Sequence, residues 1–113
     1  MQFVHLHTHS HYSLLDGLSK VDDLVNRCVE YNMPAMALTD HGVMYGVIDF
    51  YEAARRAGVK PIIGMEGYLA RRSRLDKDPQ EDKSPYHLIK TPLKFQYLRT
   101  LWGWAPLQWL TQV

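Results

Sequence analysis

Cysteine is nearly missing from this sequence of 113 residues, which contains only Cys28. A single cysteine excludes an internal disulfide framework and is typical of a reducing compartment. No apolar run approaches the ~20 residues that a membrane-spanning helix needs. The N-terminal MQFVHLH also lacks the basic segment and apolar core of a signal peptide. We therefore expect a cytoplasmic protein that does not enter a membrane.

An excess of charge of one sign is missing as well, because the formal net charge is +1 at pH 7. Such a balance argues neither for nor against nucleic acid as a partner. The length allows at most one domain. Hydrophobic residues make up 46% of the chain and charged residues 22%, as in an ordinary globular protein. Composition thus leaves the function open, and the arrangement of polar residues has to decide it.

Histidine is concentrated near the N-terminus. In FVHLHTHSHYSLLDG, His5, His7, His9 and His11 occupy every second position, and Asp16 follows them. Alternate residues of a strand share a face, but six residues of strand span roughly 20 Å, so the four rings cannot bind one ion. A neighbouring pair followed by a turn and an acid suits a metal ion. We expect His7, His9 and Asp16 to form this arrangement, with the other two histidines flanking it, although either could substitute for a neighbour.

Hydrophobic spacing predicts alternating strands and helices. The strands are expected at residues 3–7, 35–42, 59–70 and 86–89, and the amphipathic helices at 18–34 and 45–58. The short connections predict a parallel sheet or barrel with right-handed crossovers. Residues 71–85 are dense in charge and contain two prolines, which is typical of a solvated excursion.

Each predicted helix has one apolar face. The expected buried residues are Val21, Leu24, Val25, Cys28 and Tyr31 in the first helix, and Val47, Phe50, Tyr51 and Ala54 in the second. We expect Ser19 to cap the first helix and Gly58 to follow the end of the second. Cys28 lies within an apolar face, which favours a core residue over a nucleophile.

Further candidate ligands lie near the ends of the predicted strands. Asp40 and His41 close the second strand, Glu66 lies near the end of the third, and His87 begins the fourth. Barrels of parallel strands collect their sites at the carboxyl ends of the strands, so we expect these residues to meet the N-terminal pair and its acid. Imidazole and carboxylate together suit Zn²⁺, Mn²⁺ or Fe²⁺ better than Ca²⁺.

Each of these residues also has a simpler interpretation. Glu66 could bridge two ions, as in phosphoester cleavage, or it could pair with an arginine, since buried acids need partners. His87 alone could be a hydrogen-bonded core histidine. Asp40 suits a role in orienting His41 better than a role as ligand, because metal-bound imidazoles donate their other N–H to such a group.

Four stretches closely resemble a known family, the PHP (polymerase and histidinol phosphatase) domain, in the branch found at the N-terminus of bacterial DNA polymerase III alpha subunits. These stretches are HLHTHSHYSLLDG, ALTDHG, GVIDFYEAARRAGVKPIIGMEGYLA and YHLI. The resemblance covers residues 2–89 and implies an α/β fold, a distorted (β/α)₇ barrel of which this chain would hold the first three to four β/α units. It also implies up to three divalent metal ions at the strand ends.

The resemblance implies a role for each candidate residue. The metal ligands would be His7, His9, Asp16, His41, Glu66 and His87, with Glu66 as the bridging carboxylate. Glu66 and Asp40 are the candidates for a catalytic role. In the family, domains with an intact ligand set can act as metal-dependent 3′–5′ exonucleases or phosphoesterases, whereas domains that have lost ligands bind partners beside the polymerase.

We therefore expect an N-terminal PHP-domain fragment of a replicative DNA polymerase, with DNA and other polymerase subunits as partners. The alternatives are a stand-alone phosphoesterase and a non-catalytic scaffold. The chain has no histidine after His87, and residues 90–113 hold all three tryptophans but no acid. This predicts a partial domain at 1–89 and an atypical tail at 90–113, which truncation or a frameshift explains better than a novel C-terminal subdomain does. We do not expect the chain to polymerise DNA or to catalyse a reaction alone.

Overall fold

The computed structural model describes residues 3–75, 78–81 and 86–91. In chain order its elements are α1 (Val21–Glu30), β1 (Ala35–Leu38), α2 (Val47–Arg56), β2 (Lys60–Ile63), β3 (Met65–Leu69) and β4 (Tyr86–Lys90). Neither of these helices has the length and apolar character required to cross a membrane. The predicted tail lies outside the described residues from residue 92 onwards, and its boundary stays a prediction.

The first sheet is the parallel pair of β1 and β2, which α2 connects as predicted. Ala35 lies opposite Lys60, and Leu38 lies opposite Ile63. All of β1 is buried, because Met36 and Leu38 pack in the cluster formed with the helices while the two alanines pack against Ile62. Burial on both faces explains why this strand is an uninterrupted apolar run in the sequence.

The predicted strand at residues 3–7 is reduced to a single parallel bridge between His5 and Met36. The N–H of Ala37 donates to the oxygen of His5, and the N–H of Thr39 donates to that of Thr8, both at 2.8 Å. Ala37 and Thr39 are two positions apart, whereas His5 and Thr8, to which they are bonded, are three positions apart. The extra residue makes a bulge, which ends the regular pairing. The strand prediction was therefore too long.

The main core lies between α1, α2 and β1. Phe50 and Leu38 are fully buried in it, and Cys28 is 2% exposed, which confirms it as a core residue. Tyr31 and Tyr51, predicted to be buried, are 62% and 46% exposed. The reasons are that Tyr31 lies just beyond the end of α1, and that Tyr51 lies at the margin of the α2 face.

The ends of the two helices are only partly as predicted. Lys20, not Ser19, is the N-cap residue of α1, and it makes no side-chain capping bond. Asp22 and Asp23 lie in the first turn, where carboxylates favour the positive end of the helix. Gly58 follows the C-cap residue of α2 with a φ of 74°, which confirms its predicted position.

The predicted strand at 59–70 is divided at Gly64 into β2 and β3. A Cβ on Gly64 would lie 2.6 Å from the carbonyl oxygen of Lys90 and 2.9 Å from a methyl carbon of Thr39, so a side chain does not fit between β2 and β3. Unlike β2, β3 pairs antiparallel with β4. The expectation of a parallel arrangement throughout is therefore corrected to a mixed α/β fold. Closure into a (β/α)₇ barrel stays a prediction.

Candidate metal centre

Glu66 lies at the centre of a group of histidines. Glu66 lies in β3 and is 4% exposed. Carboxylate oxygen Oε2 lies 2.8 Å from Nε2 of His7 and 2.7 Å from Nε2 of His9, while Oε1 lies 2.7 Å from Nδ1 of His87. These imidazoles supply the partners that a buried carboxylate requires. The predicted convergence on Glu66 is therefore observed.

Backbone hydrogen bonds bring these residues together from separate elements. The N–H of Glu66 donates to the oxygen of Asp40 at 3.1 Å, and the N–H of Gly42 donates to the oxygen of Glu66 at 2.7 Å. The segment after β1 therefore runs beside β3. His87 is on β4 and lies opposite Tyr68 of β3, which is two residues from Glu66. Because side chains alternate along a strand, His87 and Glu66 share one face.

Asp16 forms a second carboxylate contact at the edge of this group. Its Oδ2 lies 2.7 Å from Nδ1 of His41 and 3.1 Å from Nδ1 of His9. The hydroxyl of Ser13 donates to Oδ1 at 2.5 Å. The Ser13 hydrogen bond, followed by that from His41, lowers the pKa of Asp16 to about 2. Asp16 is therefore ionised at neutral pH.

The environment of Glu66 also favours its ionised form. Burial alone raises the pKa of this carboxyl group, because a charge is poorly solvated there. The hydrogen bonds from His7 and His9 outweigh that effect, and the pKa of Glu66 lies below its usual value. A deprotonated carboxylate beside imidazole nitrogens is the state that metal binding needs.

The ligand atoms form two groups that share Glu66. One contains His7, His9 and Glu66, and the other contains His41, Glu66 and His87, with the ligand atoms of each group within 4.8 Å of one another. A tetrahedral zinc site places its nitrogen and oxygen ligands about 3.3 Å apart. His7 Nε2 and His9 Nε2 are 3.1 Å apart, close to that separation. The ligand atoms of each group therefore lie close enough together for the group to hold one divalent ion.

The structure brings together all the predicted ligands but not every predicted contact. The residues that meet are His7, His9, Asp16, His41, Glu66 and His87. Asp40 does not orient His41 as expected, because its buried carboxylate accepts hydrogen bonds from the N–H of Ser10 at 2.6 Å and from the Ser10 hydroxyl. Asp16 contacts His41 instead, because the turn at residues 13–17 brings its carboxylate beside that ring. The catalytic role of Asp40 stays a prediction.

The two other N-terminal histidines contact neighbouring aromatic rings. His5 packs edge-on against Phe3 at 4.7 Å between ring centroids, and His11 packs against Tyr12 at 4.3 Å. Neither belongs to the ligand groups found among the described residues. Their place as flanking residues stays a prediction.

Sequence reasoning missed three residues at the site. Ser10 and Ser13 are fully buried and bind Asp40 and Asp16, and Tyr68 packs on His41 with ring centroids 5.2 Å apart. The spacing Ser-x-x-Asp before Gly17 was the available signal for Ser13, because serine side chains bond readily to groups a few residues away. The sequence holds no comparable signal for Ser10 or Tyr68.

Together the fold and the site define a small α/β domain with a candidate centre for two metal ions. A family model described as the PHP domain matches residues 5–104. The chain therefore belongs to the PHP domain family. The match runs past residue 89, where the domain was predicted to end, and that boundary stays a prediction.

Several curated relatives share this region. The chain is 51% identical over 89 residues to the DNA polymerase III subunit alpha of Borreliella burgdorferi, covering 78% of this chain and 8% of that protein. It is 46% identical over 93 residues to the protein of the same name from Aquifex aeolicus, covering 77% of this chain and 8% of that protein. The chain thus spans less than a tenth of the length of these relatives.

Solved structures share the fold at lower identity. An amidohydrolase from Chromobacterium violaceum superposes with a TM-score of 0.62 and 24% identity, over 78% of this chain and 27% of its own. A proposed metal-dependent phosphoesterase from Bifidobacterium adolescentis gives a TM-score of 0.61 and 22% identity, over 80% of this chain and 27% of its own. This chain therefore shares its fold with about a quarter of each of these larger proteins.

Proposed function

We propose that this chain is part of the PHP domain of a bacterial DNA polymerase III alpha subunit and functions in DNA replication. The support is the identity of 51% over 78% of the chain to a relative of that name. DNA and other polymerase subunits are then its partners, and the cytoplasm is its compartment. The coding sequence after codon 90, read in all three frames, tests this proposal. Downstream polymerase sequence in any frame supports it, and unrelated sequence favours a stand-alone phosphoesterase.

The site is proposed to bind two divalent metal ions, Zn²⁺, Mn²⁺ or Fe²⁺, with a third in the complete domain. The observation that supports this most directly is the carboxylate of Glu66, which faces two imidazoles with Oε2 and a third with Oε1. A carboxylate shared in this way would hold two cations, one through each oxygen. That arrangement suits the clamp used in phosphoryl chemistry.

The proposed reaction is phosphodiester hydrolysis of the 3′–5′ exonuclease type, performed by the complete domain. Divalent ions bound there would polarise a phosphoryl oxygen and lower the pKa of an attacking water molecule. Glu66 and Asp16 supply negative charge that favours cation binding. His41 uses Nδ1 to contact Asp16, which leaves Nε2 as its ring nitrogen for an ion. Asp40 supports the loop through Ser10 and is a positioning residue in this proposal.

Metal content tests the proposed site. After dialysis against Mn²⁺ or Zn²⁺ and gel filtration, the unmodified chain is expected to retain two ions per molecule by mass spectrometry. Glu66→Gln removes the shared negative charge and is expected to retain fewer than one ion.

The matched control is Glu52→Gln, which makes the same change on an exposed side chain of α2. This variant is expected to bind as the unmodified chain does. A well-folded chain that takes up no metal would contradict the proposed site and favour the partner-binding scaffold. So would Glu66→Gln with full metal content.

A further inference from the structure

Ser13 connects two parts of the candidate metal centre that come from different segments. It is fully buried, and its hydroxyl lies 2.5 Å from Oδ1 of Asp16. The same hydroxyl oxygen lies 3.0 Å from the backbone nitrogen of His41. One small side chain thus links the turn after the N-terminal histidines to the segment after β1.

The direction of both hydrogen bonds follows from the groups involved. A backbone N–H can only donate, so the Ser13 oxygen accepts from His41. An ionised carboxylate can only accept, so the single hydroxyl proton of Ser13 points to Asp16. The Ser13 hydroxyl therefore accepts one hydrogen bond and donates the other.

The hydrogen bond from Ser13 to Oδ1 also sets the position of the other carboxylate oxygen of Asp16. With Oδ1 held by Ser13, Oδ2 faces Nδ1 of His41 at 2.7 Å and Nδ1 of His9 at 3.1 Å. Ser13 therefore fixes both the plane of the carboxylate and the position of the His41 backbone. The shorter of the two imidazole contacts is the one to His41.

The turn that carries Asp16 is built around the same serine. The N–H groups of Asp16 and Gly17 donate to the backbone oxygen of Ser13 at 3.2 and 2.8 Å, and the N–H of Ser13 donates to the oxygen of Ser10 at 2.9 Å. The backbone bonds shape the turn, and the side chain sets where the carboxylate of Asp16 points. The two contributions can be separated by removing the hydroxyl alone.

We propose that Ser13 is a positioning residue that holds Asp16 and His41 together, so that His41 presents its remaining ring nitrogen to an ion shared with Glu66 and His87. The inference rests on the proposed function, because it assumes that the cluster binds metal. Asp16 also contacts Nδ1 of His9 on the His7 side, but at 3.1 Å against 2.7 Å for His41, and Ser13 in addition accepts a hydrogen bond from the His41 backbone. Its removal should therefore weaken the His41 side more than the His7 side.

The test is calorimetric titration of the 113-residue chain with Mn²⁺ in two backgrounds. His7→Ala leaves the His41 side as the remaining site, and His87→Ala leaves the His7 side. Adding Ser13→Ala is expected to raise the Kd about ten-fold or more in the first background, with a smaller change in the second. The matched control is Ser19→Ala, which removes the same hydroxyl at an exposed position and is expected to change neither Kd.

The outcomes separate this inference from the proposed function. Equal weakening of both sides, or no weakening, overturns the inference but leaves the metal site in place. An unmodified chain that binds no Mn²⁺ overturns both. If Ser13→Ala does not fold, a metal-loaded crystal structure of the unmodified chain decides. Ser13 bonded to Asp16, with His41 beside the ion, supports the inference, and Ser13 turned away from Asp16 overturns it.

Discussion

Two buried serines hold the two carboxylates near His41. Ser10 donates a hydrogen bond to the carboxylate of Asp40, and Ser13 donates one to that of Asp16, whose other oxygen contacts His41. The pattern of histidines and acids predicted which residues converge, although Glu66 and His87 lie near the starts of two antiparallel strands and not at the ends of parallel ones. It could not predict that Asp16, and not Asp40, contacts the ring of His41, since this depends on the three-dimensional path of the turn.

Gly17 tests the importance of that turn. A Cβ at this position would lie 1.8 Å from the backbone oxygen of Ser10 and 2.9 Å from Cβ of Ser13. Gly17→Ala must therefore displace the turn and Asp16 with it. We expect a loss of about 1–3 kcal/mol in the free energy of unfolding, measured by urea denaturation, together with weaker metal binding.

Gly67→Ala is the control, because its nearest contact would be 3.4 Å from a methionine methyl group, which is ordinary packing. Its free energy of unfolding should change by less than about 0.5 kcal/mol. Equal stabilities for the two variants would show that the turn does not require glycine.

The elements that were predicted well are those in which local pattern and packing agree. β1 is buried on both faces, and its apolar run predicted this. The run from 59 to 70 looked equally continuous, but it is divided at Gly64, where the pairing changes from β1 to β4. That division depends on residues distant in sequence, so no local pattern contains it. Tyrosine also misled the assignment of the helix faces, because its polar end tolerates exposure.

Phe50 holds α2 against the core. It is fully buried, whereas its neighbour Tyr51 is 46% exposed. Phe50→Ala is expected to lower the free energy of unfolding by about 3–5 kcal/mol, because it removes buried apolar surface and leaves a cavity. Tyr51→Ala, the matched aromatic control, should cost less than about 1 kcal/mol. Thermal or urea unfolding measures both, and similar losses would contradict the assigned face of α2.

At the scale of the whole molecule, the candidate centre depends on contacts between distant parts of the chain. His7 and His87 are separated by eighty positions, yet both reach the carboxylate of Glu66. A sequence pattern nominates such residues one by one. Their convergence becomes visible only through the backbone bonds that place β3 beside the segment after β1.

Anomalous diffraction from crystals loaded with Mn²⁺ or Zn²⁺ tests this convergence most directly. The predicted result is two anomalous peaks flanking Glu66, one bordered by His7 and His9 and the other by His41 and His87. No peak beside Glu66, or peaks only at surface positions elsewhere, would contradict the account.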